Sequence, residues 1–173
     1  MLQKKQSAHR YYLRSVGGSG LSHHKKEVAS IEIELEMEDL NICENIGYGR
    51  SGVVYKGHFK GIDVAWKLCD ASKRPEVRKE LLNEVSVYGK MQDIQGIYIP
   101  RLVVHGTVLG GMFYTIGTTL ITGYYPTNPS EEEKKLARTA LDAVHQHGFL
   151  HNDIRKDNFL ISKNGRKKQC FLI

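Results

Sequence analysis

The chain has 173 residues, 40% of them hydrophobic and 25% charged, with a formal net charge of +6. That length gives room for one domain with a real core, or for part of a larger one, and the composition is that of a soluble globular protein. Three scattered cysteines, Cys43, Cys69 and Cys170, exclude a disulfide framework and a Cys-x-x-Cys zinc site. They suit a reducing compartment. No apolar run approaches the roughly 18 residues of a membrane span, and no apolar core follows Lys4 and Lys5 to make a secretory signal.

Residues 1–30 hold Lys4, Lys5, Arg10, Arg14, Lys25 and Lys26 against Glu27 alone, so most of the net charge sits there. With Gly17-Gly18-Ser19-Gly20 in the same stretch, a basic, solvated, flexible leader is expected. Tyr11 and Tyr12 are too few to make a stacking platform, so nucleic acid is not an expected partner.

Order is expected from residue 31. Ile31, Ile33 and Leu35 alternate with Glu32, Glu34 and Glu36, the period of a half-buried strand. A second strand, Leu40 to Ile46, leads into Gly47-Tyr48-Gly49-Arg50-Ser51-Gly52-Val53-Val54. A lone Gly-x-Gly-x-x-Gly is weak evidence, but here β-branched and aromatic residues follow it, not a helix. Strand, glycine turn, strand makes a hairpin whose tip can lie over phosphates, with the glycines leaving backbone N–H groups within reach. Val54 would then place an apolar side chain against a flat base.

A third strand is expected over Ile62 to Leu68, with Lys67 on the face of Ala65. A lysine in this order after a glycine hairpin can hold α- and β-phosphates. Residues 76–91 read as a helix, from Val77, Leu81, Tyr88 and Met91 at helical spacing behind Pro75. Glu84 falls on its inward stripe, where a carboxylate needs a partner. Lys67 is that partner, with Glu80 as the rival acid. Strands over Ile99 to Val108 and Met112 to Ile121 follow, joined by Gly110-Gly111. Ser130-Glu131-Glu132-Glu133 is a capping box, and Leu136, Ala140, Leu141 and Val144 form the apolar stripe of the helix behind it, ended by Gly148. His145 and His147, near the helix end, suit its dipole better than a metal. A polar loop, His151-Asn152-Asp153-Ile154-Arg155-Lys156-Asp157-Asn158, then runs into the apolar Phe159-Leu160-Ile161. By itself that loop could be an ordinary polar turn before a strand.

Taken together, Gly47-x-Gly49-x-x-Gly52-x-Val54, Val64-Ala65-Trp66-Lys67, Glu84 and His151-x-Asp153-x-x-x-x-Asn158 resemble the eukaryotic protein kinase family, in its order and at its spacings. The resemblance covers roughly residues 40–173. It implies an α+β, protein-kinase-like fold, with a five-stranded antiparallel N-lobe and one helix over 31–121. A hinge, a helix, the catalytic loop and a hairpin follow over 122–173, as the beginning of a helical C-lobe. It implies ATP and Mg²⁺ as cofactors. Gly47, Gly49, Gly52, Val54, Ala65 and Lys67 would bind nucleotide, and backbone near Ile121-Thr122-Gly123 would bind adenine. Glu84 would hold Lys67, Asp153 would accept the substrate hydroxyl proton, Asn158 would bind the metal, and Arg155 would sit near the γ-phosphate.

Three departures accompany the resemblance. Only some seven residues separate hinge from helix, so the family's intervening helix is expected to be absent. Asn152 stands where the family has the Arg that couples to activation-loop phosphorylation. The chain also stops where Asp-Phe-Gly would come, so it is expected to be a truncated domain. Leu136, Leu141 and Val144 would then be exposed on a poorly stable monomer that a partner protein covers. The leading expectation is ATP-dependent phosphoryl transfer to protein hydroxyls of the Ser/Thr type, in the cytoplasm or nucleus and away from membranes. A non-catalytic nucleotide-binding or scaffold module comes second, and a small-molecule kinase third.

Overall fold

The computed structural model describes residues 31–49, 52–164 and 167–173. The expected basic leader, the glycine-turn residues Arg50 and Ser51, and the second hairpin's turn at Gly165 and Arg166 lie outside the described residues. The architecture is mixed α+β, in two connected parts.

The first part is a six-stranded sheet. Its strands are β1 (Ile33–Leu35), β2 (Ile42–Gly49), β3 (Gly52–Phe59), β4 (Ile62–Asp70), β5 (Leu102–Val108) and β6 (Phe113–Thr119). Their spatial order is β1-β5-β6-β4-β3-β2. Five of them form the expected antiparallel set. The sixth, β1, corrects the expectation of a five-stranded sheet: its alternating Ile33-Glu34-Leu35 adds in parallel to β5, with Ile33 opposite Gly106. Gly106 allows that approach, because a Cβ there would fall 1.8 Å from the Ile33 carbonyl oxygen. A four-residue helix, α1 (Met37–Leu40), was not expected; Glu36 and Asp39 close a capping box over it and Asn41 ends it at φ 38°.

The two faces of the sheet bury different groups. Val64 and Trp66 point to one face with Leu35, Leu40, Val104 and Val108. Cys69, Tyr114 and Ile116 point to the other, where Val77 and Leu81 of α2 (Pro75–Lys90) pack on them. The alternation of β4 dictates this split, since successive side chains leave opposite sides of a strand. Helix α2 starts on Pro75, as its missing N–H permits. The strand expected from Ile99 begins only at Leu102: Gly96 turns the chain at φ 76°, Pro100 has no N–H to donate, and Ile99 is buried in another cluster.

The second part is α3 (Glu131–Gln146) with a hairpin of β7 (Phe159–Asn164) and β8 (Lys167–Leu172). Ser130 caps α3 reciprocally with Glu133, as expected. The expected exposure of Leu136, Leu141 and Val144 is not found. Val144 is 4% exposed, and the two leucines are half-buried against the same cluster. That cluster joins Val87, Met91 and Ile94 to Ala143, Val144, Phe159, Ile161, Cys170 and Leu172, so the end of α2 and the hairpin share one core with α3. Between Thr119 and Glu131 there is no helix, as the short spacing predicts. No helix among the described residues is long and apolar enough to cross a membrane.

Candidate active site

Lys67 sits at the middle of the sheet, paired across to Val54 on β3 and Ile116 on β6. Those residues share its face, as does Ala65 two positions away. Helix α2 lies on that face. Its Glu84 receives two hydrogen bonds from Lys67 Nζ, at 2.8 Å to each carboxylate oxygen. Both side chains are 32% exposed, so the pair lines an open surface and is not sealed in a core. Glu84 takes the lysine, not the rival Glu80.

The glycines serve distinct purposes. Gly52 has φ 136°, and a Cβ there would fall 2.2 Å from the Leu68 carbonyl oxygen, so the hairpin itself requires glycine. Gly47 pairs with Val54, and a Cβ there would make an ordinary 3.9 Å contact with it. Contacts within the described residues therefore leave room for a side chain at 47. Gly49 ends β2 opposite Gly52.

The second polar group is the loop before β7. Asp153 is 4% exposed. Arg155 pairs with it: an end nitrogen donates to Oδ2 at 2.8 Å, and Nε lies in ion-pair contact 2.8 Å from Oδ1. Asn158 Nδ2 donates to the Asp153 backbone oxygen at 2.7 Å and to Oδ2 at 3.0 Å. The carboxamide is planar, so its oxygen is turned to the side away from Asp153. Asn152 has φ 56°, a left-handed conformation that asparagine tolerates better than most residues. Burial pushes His151 below the usual histidine range, against the pull of the Asp153 charge, so it is neutral at pH 7. The strand end closes on the loop, with Ile173 N–H donating to the Asn158 carbonyl at 2.9 Å.

The two polar groups are tied through one body. Tyr88, one turn beyond Glu84, packs against the cluster that holds Phe159 and Ile161, just past Asn158. Burial and the Glu84 charge raise the Tyr88 hydroxyl far above its usual range, so it stays protonated. The expected site residues are thus gathered as two ordered pairs, Lys67 with Glu84 and Asp153 with Asn158. Arg155, expected near a γ-phosphate, is paired with Asp153.

No family model matches the chain. Curated relatives do. It is 29% identical over 141 residues to a probable casein kinase I homolog of Encephalitozoon cuniculi, covering 76% of this chain and 44% of that protein. It is 27% identical over 168 residues to a probable serine/threonine-protein kinase of Arabidopsis thaliana, covering 91% and 16%. It is 25% identical over 148 residues to the serine/threonine-protein kinase greatwall of Gallus gallus, covering 76% and 16%. The chain is similar to serine/threonine protein kinases. It spans less than half the length of these kinases. The mixed α+β architecture fits a kinase-like fold.

Some ordered polar contacts outside these two pairs reach beyond any local sequence signal. Glu133 is buried, taking hydrogen bonds from Tyr124, Ser130 N–H and Lys168. These donors, Tyr124 first, lower its carboxyl to about 2. His147 bonds the Ala143 carbonyl at 2.7 Å and Asp93 at 2.9 Å. The capping box pointed to Glu133, but only its role at the helix start could be read from spacing.

Proposed function

We propose that this chain forms the nucleotide-binding and catalytic-loop part of a protein kinase that transfers the γ-phosphoryl of ATP to serine or threonine hydroxyls of proteins. The observation that carries the reading is the Lys67–Glu84 pair. A lysine in mid-sheet, held by a carboxylate on the helix that packs on that face, keeps its ammonium fixed for phosphate oxygens. Val54 and Ala65 give the neighbouring surface on which a purine packs, and the glycine hairpin covers the phosphates.

In this reading Asp153 orients the acceptor hydroxyl and takes its proton. The Arg155 ion pair sets the carboxylate's orientation. Asn158 fits Mg²⁺ through its carboxamide oxygen, because its nitrogen is committed to Asp153. Mg²⁺ supplies charge neutralisation on the phosphates and is normally completed by their oxygens and water.

A second reading is a nucleotide-binding module without transfer. It is favoured by one observation: Arg155 is paired with the Asp153 carboxylate. γ-Labelled ATP with casein as acceptor separates the readings. Label transfer by the wild type, lost in Asp153→Asn while nucleotide binding persists, supports the kinase. Binding without transfer in both proteins supports the module.

A further inference from the structure

We infer that Glu133, with Tyr124 and Lys168, is a positioning site that fixes the wall of the nucleotide cleft against which the purine lies. The inference rests on the proposed nucleotide-binding function.

The segment from 120 to 125 is a strap between the sheet and the hairpin. At the sheet end, Thr119 N–H donates to the Arg101 carbonyl at 2.9 Å and Leu120 N–H to the Asp63 carbonyl at 2.9 Å. At the hairpin end, Tyr124 and Ile161 exchange backbone hydrogen bonds at 3.0 and 2.9 Å. Gly123 lies so close that a Cβ would fall 2.3 Å from the Ile161 carbonyl oxygen. The strap thus links β6, a neighbour of the Lys67 strand, to β7, which begins just after Asn158.

Its side-chain anchor is a single carboxylate. The Tyr124 hydroxyl donates to Glu133 Oε1, and Lys168 Nζ reaches the same oxygen at 3.1 Å. Ser130 N–H donates to Oε2 at 2.9 Å. Lys168 also lies 3.4 Å from Glu132. One acid therefore holds the strap, the start of α3 and β8 together. The Glu133 side chain is only 9% exposed. With no helix between Thr119 and Glu131, the strap has no helical support of its own, and this knot takes that place.

Stability alone does not call for such a group. An apolar contact of similar volume often serves as well as a buried ion pair, whereas a charge with directed donors specifies one geometry. Here the geometry specified is the height of strap backbone over β7, which is where a purine edge would meet it.

The test measures two ligands on the full chain: a fluorescent adenine nucleotide with Mg²⁺, and Mg²⁺-tripolyphosphate, which has no purine. Thermal melts are run beside them. Tyr124→Phe deletes one hydroxyl and keeps the ring; Glu133→Gln keeps the size and removes the charge. The expected result is nucleotide affinity about tenfold weaker in Tyr124→Phe, the scale of one hydrogen bond to a charged group, with tripolyphosphate affinity unchanged. Equal nucleotide affinity in folded variants overturns the inference. So does equal weakening for both ligands, which would be a merely structural effect. If Glu133→Gln does not fold, Tyr124→Phe decides. A wild type that binds no nucleotide overturns the proposed function and this inference together, an outcome distinct from failure of the variants alone.

Discussion

Lys67 Nζ lies 2.8 Å from both carboxylate oxygens of Glu84, seventeen residues away on another element. The pair is open to solvent, so its contribution to stability is small, about 0–1 kcal/mol. Its consequence is expected in ligand binding. Glu84→Gln should weaken adenine nucleotide binding several-fold with little change in melting temperature, and Glu80→Gln should leave binding unchanged. Equilibrium titration of the three proteins checks the ranking.

Gly52 and Gly47 should respond differently to alanine. At Gly52, φ 136° and the Leu68 carbonyl at 2.2 Å from a Cβ force β3 to move. The expected cost is of order 1–3 kcal/mol or more, seen in chemical denaturation. At Gly47 the added methyl meets only Val54 at an ordinary distance. Gly47→Ala should fold normally, and any loss it shows should be confined to nucleotide affinity.

Much of this site is legible in local sequence because its parts are local. Period-2 alternation places Val64 and Trp66 on one face and Ala65 and Lys67 on the other. Helical spacing turns Glu84 inward, and Ser130 with Glu133 marks a helix start. What spacing does not carry is contact across the fold. The parallel addition of β1 to β5 rests on the lack of a side chain at Gly106, far away in sequence. The burial of Val144 depends on the hairpin folding back onto α3. The pairing of Arg155 with Asp153 is between near neighbours, but two residues apart in a loop have no period that fixes their geometry.

His147 gives a pH dependence with a definite sign. Both ring nitrogens face acceptors, the Ala143 carbonyl and the Asp93 carboxylate, and only an imidazolium donates to both. These contacts, the carbonyl first, raise its pKa above the usual 6.5. The stabilisation is fully present below about pH 6.5 and is lost as pH rises through the raised value. Melting temperature should therefore fall as pH rises above about 6.5 in the wild type. Asp93→Asn should flatten that fall, as followed by melts across the range.

Asp153 separates chemistry from binding. Asp153→Asn keeps the hydrogen-bonding shape beside Asn158 but removes the carboxylate that the proposed function makes the proton acceptor. Phosphoryl transfer should drop by 10²-fold or more, the low end of general-base effects. Nucleotide affinity should change less than threefold. Parallel transfer and binding assays give both numbers.

The most direct measurement of the nucleotide site is titration of an ATP analogue, with and without Mg²⁺, into the wild type and Lys67→Ala. The account predicts binding by the wild type, tightened by Mg²⁺, and at least tenfold weaker binding by Lys67→Ala in a protein that melts at nearly the same temperature. Equal affinity in the two proteins would contradict it.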